Sequence, residues 1–152
     1  MEIRNATTQE LEECETVLRA AFGGYVRQLG REQSDDAYSW LPEAVLQNRV
    51  LVSVNSSEIQ GVAIFSASET IWTIEQVAVK PSLKGHGIGR TLIHRVEHDA
   101  KSAGAHKLEL DTAEVMTDLL RFYEKLGFTI NRRGLPEHGR DNFIRVYMEK
   151  AI

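Results

Sequence analysis

Residues 70–112 switch hydrophobic period twice, and this switch limits the possible folds more than any other feature of the chain. TIWTIEQVAV, residues 70–79, is rich in β-branched residues and reads as a strand that Pro81 stops. The glycine loop Lys84-Gly85-His86-Gly87-Ile88-Gly89 follows. Ile88, Leu92, Ile93, Val96, Ala100 and Ala103 then recur at helical spacing until Gly104, and HKLELDT returns to strand character. Strand, helix and strand in this order predict a right-handed parallel crossover.

The flanking segments add antiparallel partners. Thr7 and Glu10 form a capping box before Leu11, Cys14, Val17, Leu18, Ala21, Phe22 and Val26, and Gly30 ends that helix. Ser34-Asp35-Asp36 predicts the cap of a second helix carrying Tyr38, Leu41, Val45 and Leu46. RVLVSV and IQGVAIF flank Asn55-Ser56-Ser57-Glu58 and read as a β-hairpin. Leu119, Phe122, Tyr123 and Leu126 mark a shorter helix ended by Gly127, and FTINRR and NFIRVYMEK close the chain as strands. The expected order is β-α-α-β-β-β-α-β-α-β-β, an α+β fold on a mixed sheet.

A length of 152 residues suits one domain over 1–152 with a single core. The net charge of −4 argues against a mainly electrostatic nucleic-acid binder, and no apolar run reaches membrane-span length. The polar start MEIRNATTQELEE has no secretory apolar region. Cys14 is the only cysteine, which fits a reducing cytoplasm, and Glu12, Glu13 and Glu15 beside it disfavour a thiolate.

Two chemistries compete within residues 80–98. His94-Arg95-Val96-Glu97-His98 has the H-x-x-E-H spacing of inverted zinc proteases. Each histidine lies two residues from a member of the apolar stripe, so at about 100° per residue both point away from the core. No third ligand is specified, and no metal is expected. The glycine loop is the better candidate. It opens a helix whose first N–H groups carry about half a unit of positive charge, an arrangement suited to a pyrophosphate, with Lys84 and Arg90 alongside. Its spacing fits neither G-x-G-x-x-G nor a P-loop ending in Gly-Lys-Ser/Thr.

VAVKPSLKGHGIGRTLI, LELDT and LLRFYEKLGF, in that order, resemble the core signature of the GNAT superfamily of acyl-CoA-dependent N-acyltransferases. The resemblance is strong over residues 70–130 and weak over the first 50. The family loop R/Q-x-x-G-x-G/A is met by Lys84-x-x-Gly87-x-Gly89, with Lys84 where Arg or Gln is usual. The resemblance implies a mostly antiparallel central sheet with helices on both faces. It also implies a coenzyme A pyrophosphate held by Lys84, Gly85, His86, Gly87, Ile88, Gly89, Arg90 and Thr91, and a pantetheine arm along Val77 and Val79.

On the same resemblance, acetyl-CoA is the cosubstrate and a primary amine of a small molecule, peptide or protein the acceptor. Glu75 is the expected base, provided a bulge brings it to the cleft. The N–H of Val77 is expected to polarise the thioester, and Tyr123 to protonate the departing thiolate. Asp111 is a candidate to orient the amine, and Gln76 to contact it. Tyr25, Arg27, Arg31, Tyr38, Trp40, Arg133, His138 and Arg140 are expected around the acceptor. Dimers are frequent among similar proteins, so a homodimer through Phe143, Val146 and Tyr147 is a further expectation. The competing reading is a non-catalytic acyl-CoA-binding regulatory module of the same fold.

Overall fold

The computed structural model describes residues 1–152. Seven strands form one sheet in the order β1-β2-β3-β4-β5-β7-β6. They are β1 (Glu2–Asn5), β2 (Val50–Asn55), β3 (Glu58–Ala67), β4 (Ile71–Val79), β5 (Lys107–Ala113), β6 (Thr129–Gly134) and β7 (Arg145–Ala151). Four helices connect them: α1 (Leu11–Gln28), α2 (Leu41–Leu46), α3 (Ile88–Ser102) and α4 (Thr117–Lys125). Only β4 and β5 pair in parallel; every other neighbouring pair is antiparallel.

Alternation along the strands sorts the apolar residues onto two faces. Val50, Val52, Val62, Ile64 and Ala78 pack beneath Cys14, Val17 and Leu18 of α1 and Leu41, Ala44 and Val45 of α2. Leu51, Ala63, Phe65, Leu108, Val146 and Met148 pack beneath Ile88, Leu92, Ile93, Val96 and Ala100 of α3, with Phe122 and Tyr123 of α4 and Leu126 just after it joining the rim. The helices therefore cover both faces.

Local chemistry explains most element boundaries. The Thr7 N–H donates to Glu10 Oε1 at 2.9 Å, and the two Glu10 oxygens each accept from the Arg4 guanidinium at 2.9 Å. In the β2–β3 hairpin, Ser56 and Ser57 have φ of 51° and 63°, the left-handed pair that a two-residue turn requires. Gly61 on β3 admits α3. A Cβ there would lie 2.8 Å from Ile88 Cγ2 and 3.0 Å from Leu92 Cδ1, so the first turn of α3 sits directly on bare backbone.

The structure corrects several expectations. The second helix starts at Leu41 rather than after Ser34, because residues 35–40 are spent on turns and Pro42 belongs to its first turn. Ala103 is exposed at the end of α3, and Ala105 fills the buried position instead. β7 begins at Arg145, three residues after Asn142, because Asp141 takes the Phe143 N–H at 3.0 Å and holds the Arg145 side chain. Val146 is fully buried under α3, so it is not available to a dimer surface.

Candidate active site

The β4–β5 pair opens after three rungs. Ile71, Trp72 and Thr73 pair with Lys107, Leu108 and Glu109, and beyond them the strands separate. β4 carries a bulge at the point of opening: Ile64 of β3 is opposite Gln76 and Phe65 is opposite Ile74, which leaves Glu75 as the extra residue. The bulge reverses the alternation, so Trp72 and Ile74 face the same core as Val77 and Val79 while Glu75 leaves that face. Glu75 is exposed, and its Oε2 lies 3.7 Å from Arg49 Nη1. The neighbouring Gln76 has a buried Oε1 that accepts no hydrogen bond.

The opening leaves one edge of β4 bare. The Lys80 N–H donates to Gln60 O on β3 at 3.0 Å. N–H groups alternate sides along a strand, so those of Ala78 and Gln76 also face β3. Those of Val77 and Val79 face the gap. Such donors are available to an extended ligand arm laid against β4.

At the end of this edge the chain turns through Gly85 and Gly87, with φ of 84° and 82°, into α3. The first helical bond of α3 is from Thr91 N–H to Gly87 O at 3.0 Å, and the Thr91 hydroxyl donates to the same oxygen at 2.8 Å. The N–H groups of Ile88, Gly89 and Arg90 therefore donate to no helical carbonyl, and the amides of residues 85–87 likewise donate to no other group of the chain. Six consecutive N–H groups, at residues 85–90, thus have no partner within the chain, the kind of run that can cradle an anion. His86 Nδ1 lies 3.1 Å from the carbonyls of Leu83 and Lys84, which folds its ring against the loop. Lys84 and Arg90 are exposed beside the cradle. Gly89 faces β4: a Cβ there would lie 3.6 Å from Val79 Cγ2 and 3.7 Å from Phe122 Cζ, ordinary contact distances.

Tyr123 of α4 packs on the rim of the core, within reach of the charges of Tyr25 and Asp111. Its ring packs edge-on to Phe128 at a centroid distance of 6.0 Å, and its hydroxyl makes no hydrogen bond within the chain. Burial, reinforced by Tyr25 and Asp111, pushes this phenol up to about 12. Tyr25 reaches over from α1 and accepts from the Ala113 N–H at 3.1 Å, at the end of β5. Asp111 keeps a face to solvent, yet the surrounding protein raises its carboxyl above the usual range, a trend that Arg145 and His138 oppose.

A model of the acetyltransferase (GNAT) family matches residues 5–128. The chain belongs to that family. Among similar curated proteins, glucosamine 6-phosphate N-acetyltransferase of Trypanosoma brucei brucei is 43% identical over 60 residues, covering 40% of this chain and 39% of that protein. The IAA acetyltransferase of Azospirillum brasilense is 32% identical over 79 residues, covering 52% and 50%. The matches thus span half or less of these two relatives. Among solved structures, the ribosomal-protein-S18-alanine N-acetyltransferase of Escherichia coli superposes with a TM-score of 0.80 at 17% identity, covering 99% of this chain and 93% of that one. The PaiA N-acetyltransferase of Thermoplasma acidophilum, solved with coenzyme A, gives 0.79 at 20% identity, covering 99% and 98%.

Within the GNAT framework, several acceptor expectations change. Tyr38 is buried and donates its hydroxyl to Gln33 Oε1 at 2.6 Å, and Trp40 Nε1 donates to Ala37 O at 3.0 Å, so both rings secure the α1–α2 connection. Arg133 is exposed and ion-paired to Glu114 at 2.6 Å, while Arg27 and Arg140 point to solvent. His138 does line a cavity of about 220 Å³, with Asp111, Pro136, Glu137, Arg145 and Tyr147. Sequence reasoning missed Arg145 and its partner Asp141, because no spacing rule distinguishes an Asp-x-x-x-Arg pair that spans a loop and a strand. His94 and His98 are both exposed on α3, and no group of three or more His, Cys, Asp or Glu side chains converges to hold a metal.

Proposed function

We propose that this GNAT chain is an N-acetyltransferase that moves an acetyl group from acetyl-CoA to a primary amine by direct attack. The six free amides at residues 85–90 support this reading most strongly. They suit the coenzyme A pyrophosphate, with Lys84 and Arg90 adding charge and Thr91 bracing the turn. The pantetheine arm lies along the free edge of β4 at Val77 and Val79, which delivers the thioester to the β4–β5 opening.

The amine nitrogen attacks the thioester carbon, and the Val77 N–H donates to the carbonyl oxygen as it becomes an oxyanion. A preorganised donor of this kind contributes about 3 kcal/mol. An alkylamine has a pKa of about 10.4, so its neutral form costs roughly 4.6 kcal/mol at pH 7, and a base is worth having. Glu75 takes that proton, directly or through water, from its bulge at the mouth of the opening. The C–S bond then breaks and the thiolate takes a proton from Tyr123, a phenol throughout the neutral range, which regains a proton from solvent as the products leave. The reaction takes place inside the cell, in the reducing cytoplasm to which the lone buried Cys14 is suited.

The test is calorimetry with acetyl-CoA followed by thiol release on a panel of amines. Saturable binding with amine-dependent thiol release is the expected result. Binding without turnover on any amine would favour a regulatory acyl-CoA-binding module, and no binding to folded protein would refute the reading.

A further inference from the structure

The acceptor side of the cavity has an unusual charge arrangement. Asp141 accepts from Arg145 through both oxygens, Nη1 to Oδ1 and Nη2 to Oδ2, each at 3.0 Å. Arg31 Nε lies 3.2 Å from the same Oδ2, buried but without a hydrogen bond. Two guanidinium groups thus share one carboxylate, in a cluster where the Arg145 side chain is only 5% exposed and that of Asp141 4%. The Arg31–Asp141–Arg145 triad by itself therefore carries one net positive charge.

His138 sharpens the point. Its Nδ1 accepts the Arg140 N–H at 2.9 Å, so that nitrogen carries no proton and Nε2 must bear it. The Nε2–H faces Arg145 Nη2 at 3.5 Å, donor against donor. Two donors held side by side without an acceptor between them form a seat for a carboxylate. The same cavity of about 220 Å³ is also lined by the carboxylates of Asp111 and Glu137. Those acids disfavour a simple anion such as phosphate, and the Arg145–His138 pair disfavours a polyamine. A ligand carrying both charges satisfies both. At about 220 Å³ the cavity has room for a ligand group of amino-acid size between these charges.

We propose that the amine acceptor is a small free amino acid, its α-carboxylate on Arg145 Nη2 and His138 Nε2 and its ammonium group at Asp111, facing the β4–β5 opening. This rests on the acetyl-transfer reading above for its chemistry but not for its binding, which can be measured alone. Calorimetry on the full chain, with and without saturating coenzyme A, would compare the proteinogenic L-amino acids with their α-amides and with the matching decarboxylated amines. At least one free amino acid should bind, and its amide and amine should bind about tenfold or more weakly, the loss expected for a charge-assisted hydrogen bond. His138→Ala should remove most of that preference while leaving coenzyme A affinity unchanged. Arg145→Lys, if it folds, should do the same through loss of the planar fork. Absence of binding by every amino acid, or equal binding of acids and amides, would overturn the proposal. Failure of coenzyme A to bind in the same cell would instead count against the acetyl-transfer reading.

Discussion

Tyr25 of α1 and Ala113 of β5, 88 residues apart, are joined by a 3.1 Å hydrogen bond from the Ala113 N–H to the tyrosine hydroxyl. β5 has lost β4 by this point, so the hydroxyl replaces a ladder partner. Ala113 is fully buried. Tyr25→Phe should orphan that amide and cost about 1–3 kcal/mol in urea unfolding. A loss under about 0.5 kcal/mol would mean that water reaches the amide.

The role of the glycine loop can be separated from its stability. Gly87 and Gly104 have similar left-handed φ, 82° and 89°, at the two ends of α3. Changing either to Ala should destabilise the fold by about 1–2 kcal/mol. Only Gly87→Ala should weaken coenzyme A binding. Equal affinity in both variants would separate the ligand from the loop.

Tyr123→Phe should lower turnover by about tenfold or more, with little change in coenzyme A affinity. The wild-type phenol has a pKa of about 12 in the folded chain against a reference of 10.0, so it remains an acid across the neutral range. A raised pKa means stability is complete below pH 10 and is lost as pH rises through 12. Stability measured across that window should fall less steeply for the Phe variant, although Cys14, raised to about 12 by burial, will still contribute.

Glu75→Gln should slow turnover most at low pH, where the amine is most protonated, and Asp111→Asn should raise the acceptor KM more than it lowers kcat. A uniform small loss for Glu75→Gln would reduce its role to positioning. A pH-dependent collapse of kcat in Asp111→Asn would move the base there.

At the acid end, hydrogen bonds from Arg145 hold Asp141 at about 2 against 3.8 for a free carboxyl. A lowered pKa gives stability that is complete above pH 3.8 and is lost as pH falls through 2, on the order of 2 kcal/mol. Asp141→Asn should flatten this part of the acid limb in unfolding titrations. An unchanged slope would show that the pair is already open before acid unfolding.

The local grammar of the chain was readable residue by residue. The capping box at Thr7, the Ser56-Ser57 turn, the α3 stripe and the glycine cradle are set by interactions within a few positions, where period and backbone freedom leave little choice. Strand parity alone put Glu75 on the face of Val77 and Val79, and only the family resemblance suggested the bulge that the structure shows there. By itself, the sequence thus determined the element order and the glycine loop that opens α3, which together carry the GNAT resemblance.

Only the tertiary structure decided where β4 and β5 part, that β7 enters between β5 and β6, and that Asp141 is shared by Arg31 and Arg145. Tyr38 and Trp40 read as pocket residues yet proved structural, whereas Arg145 gave no signal at all. The physical reason is range. Helices and turns are specified by neighbours along the chain, but the cavity beside Asp111 is assembled from β5, the β6–β7 loop and β7, with α1 and its trailing loop close by. Its charge balance exists only once long-range pairing has brought those segments together.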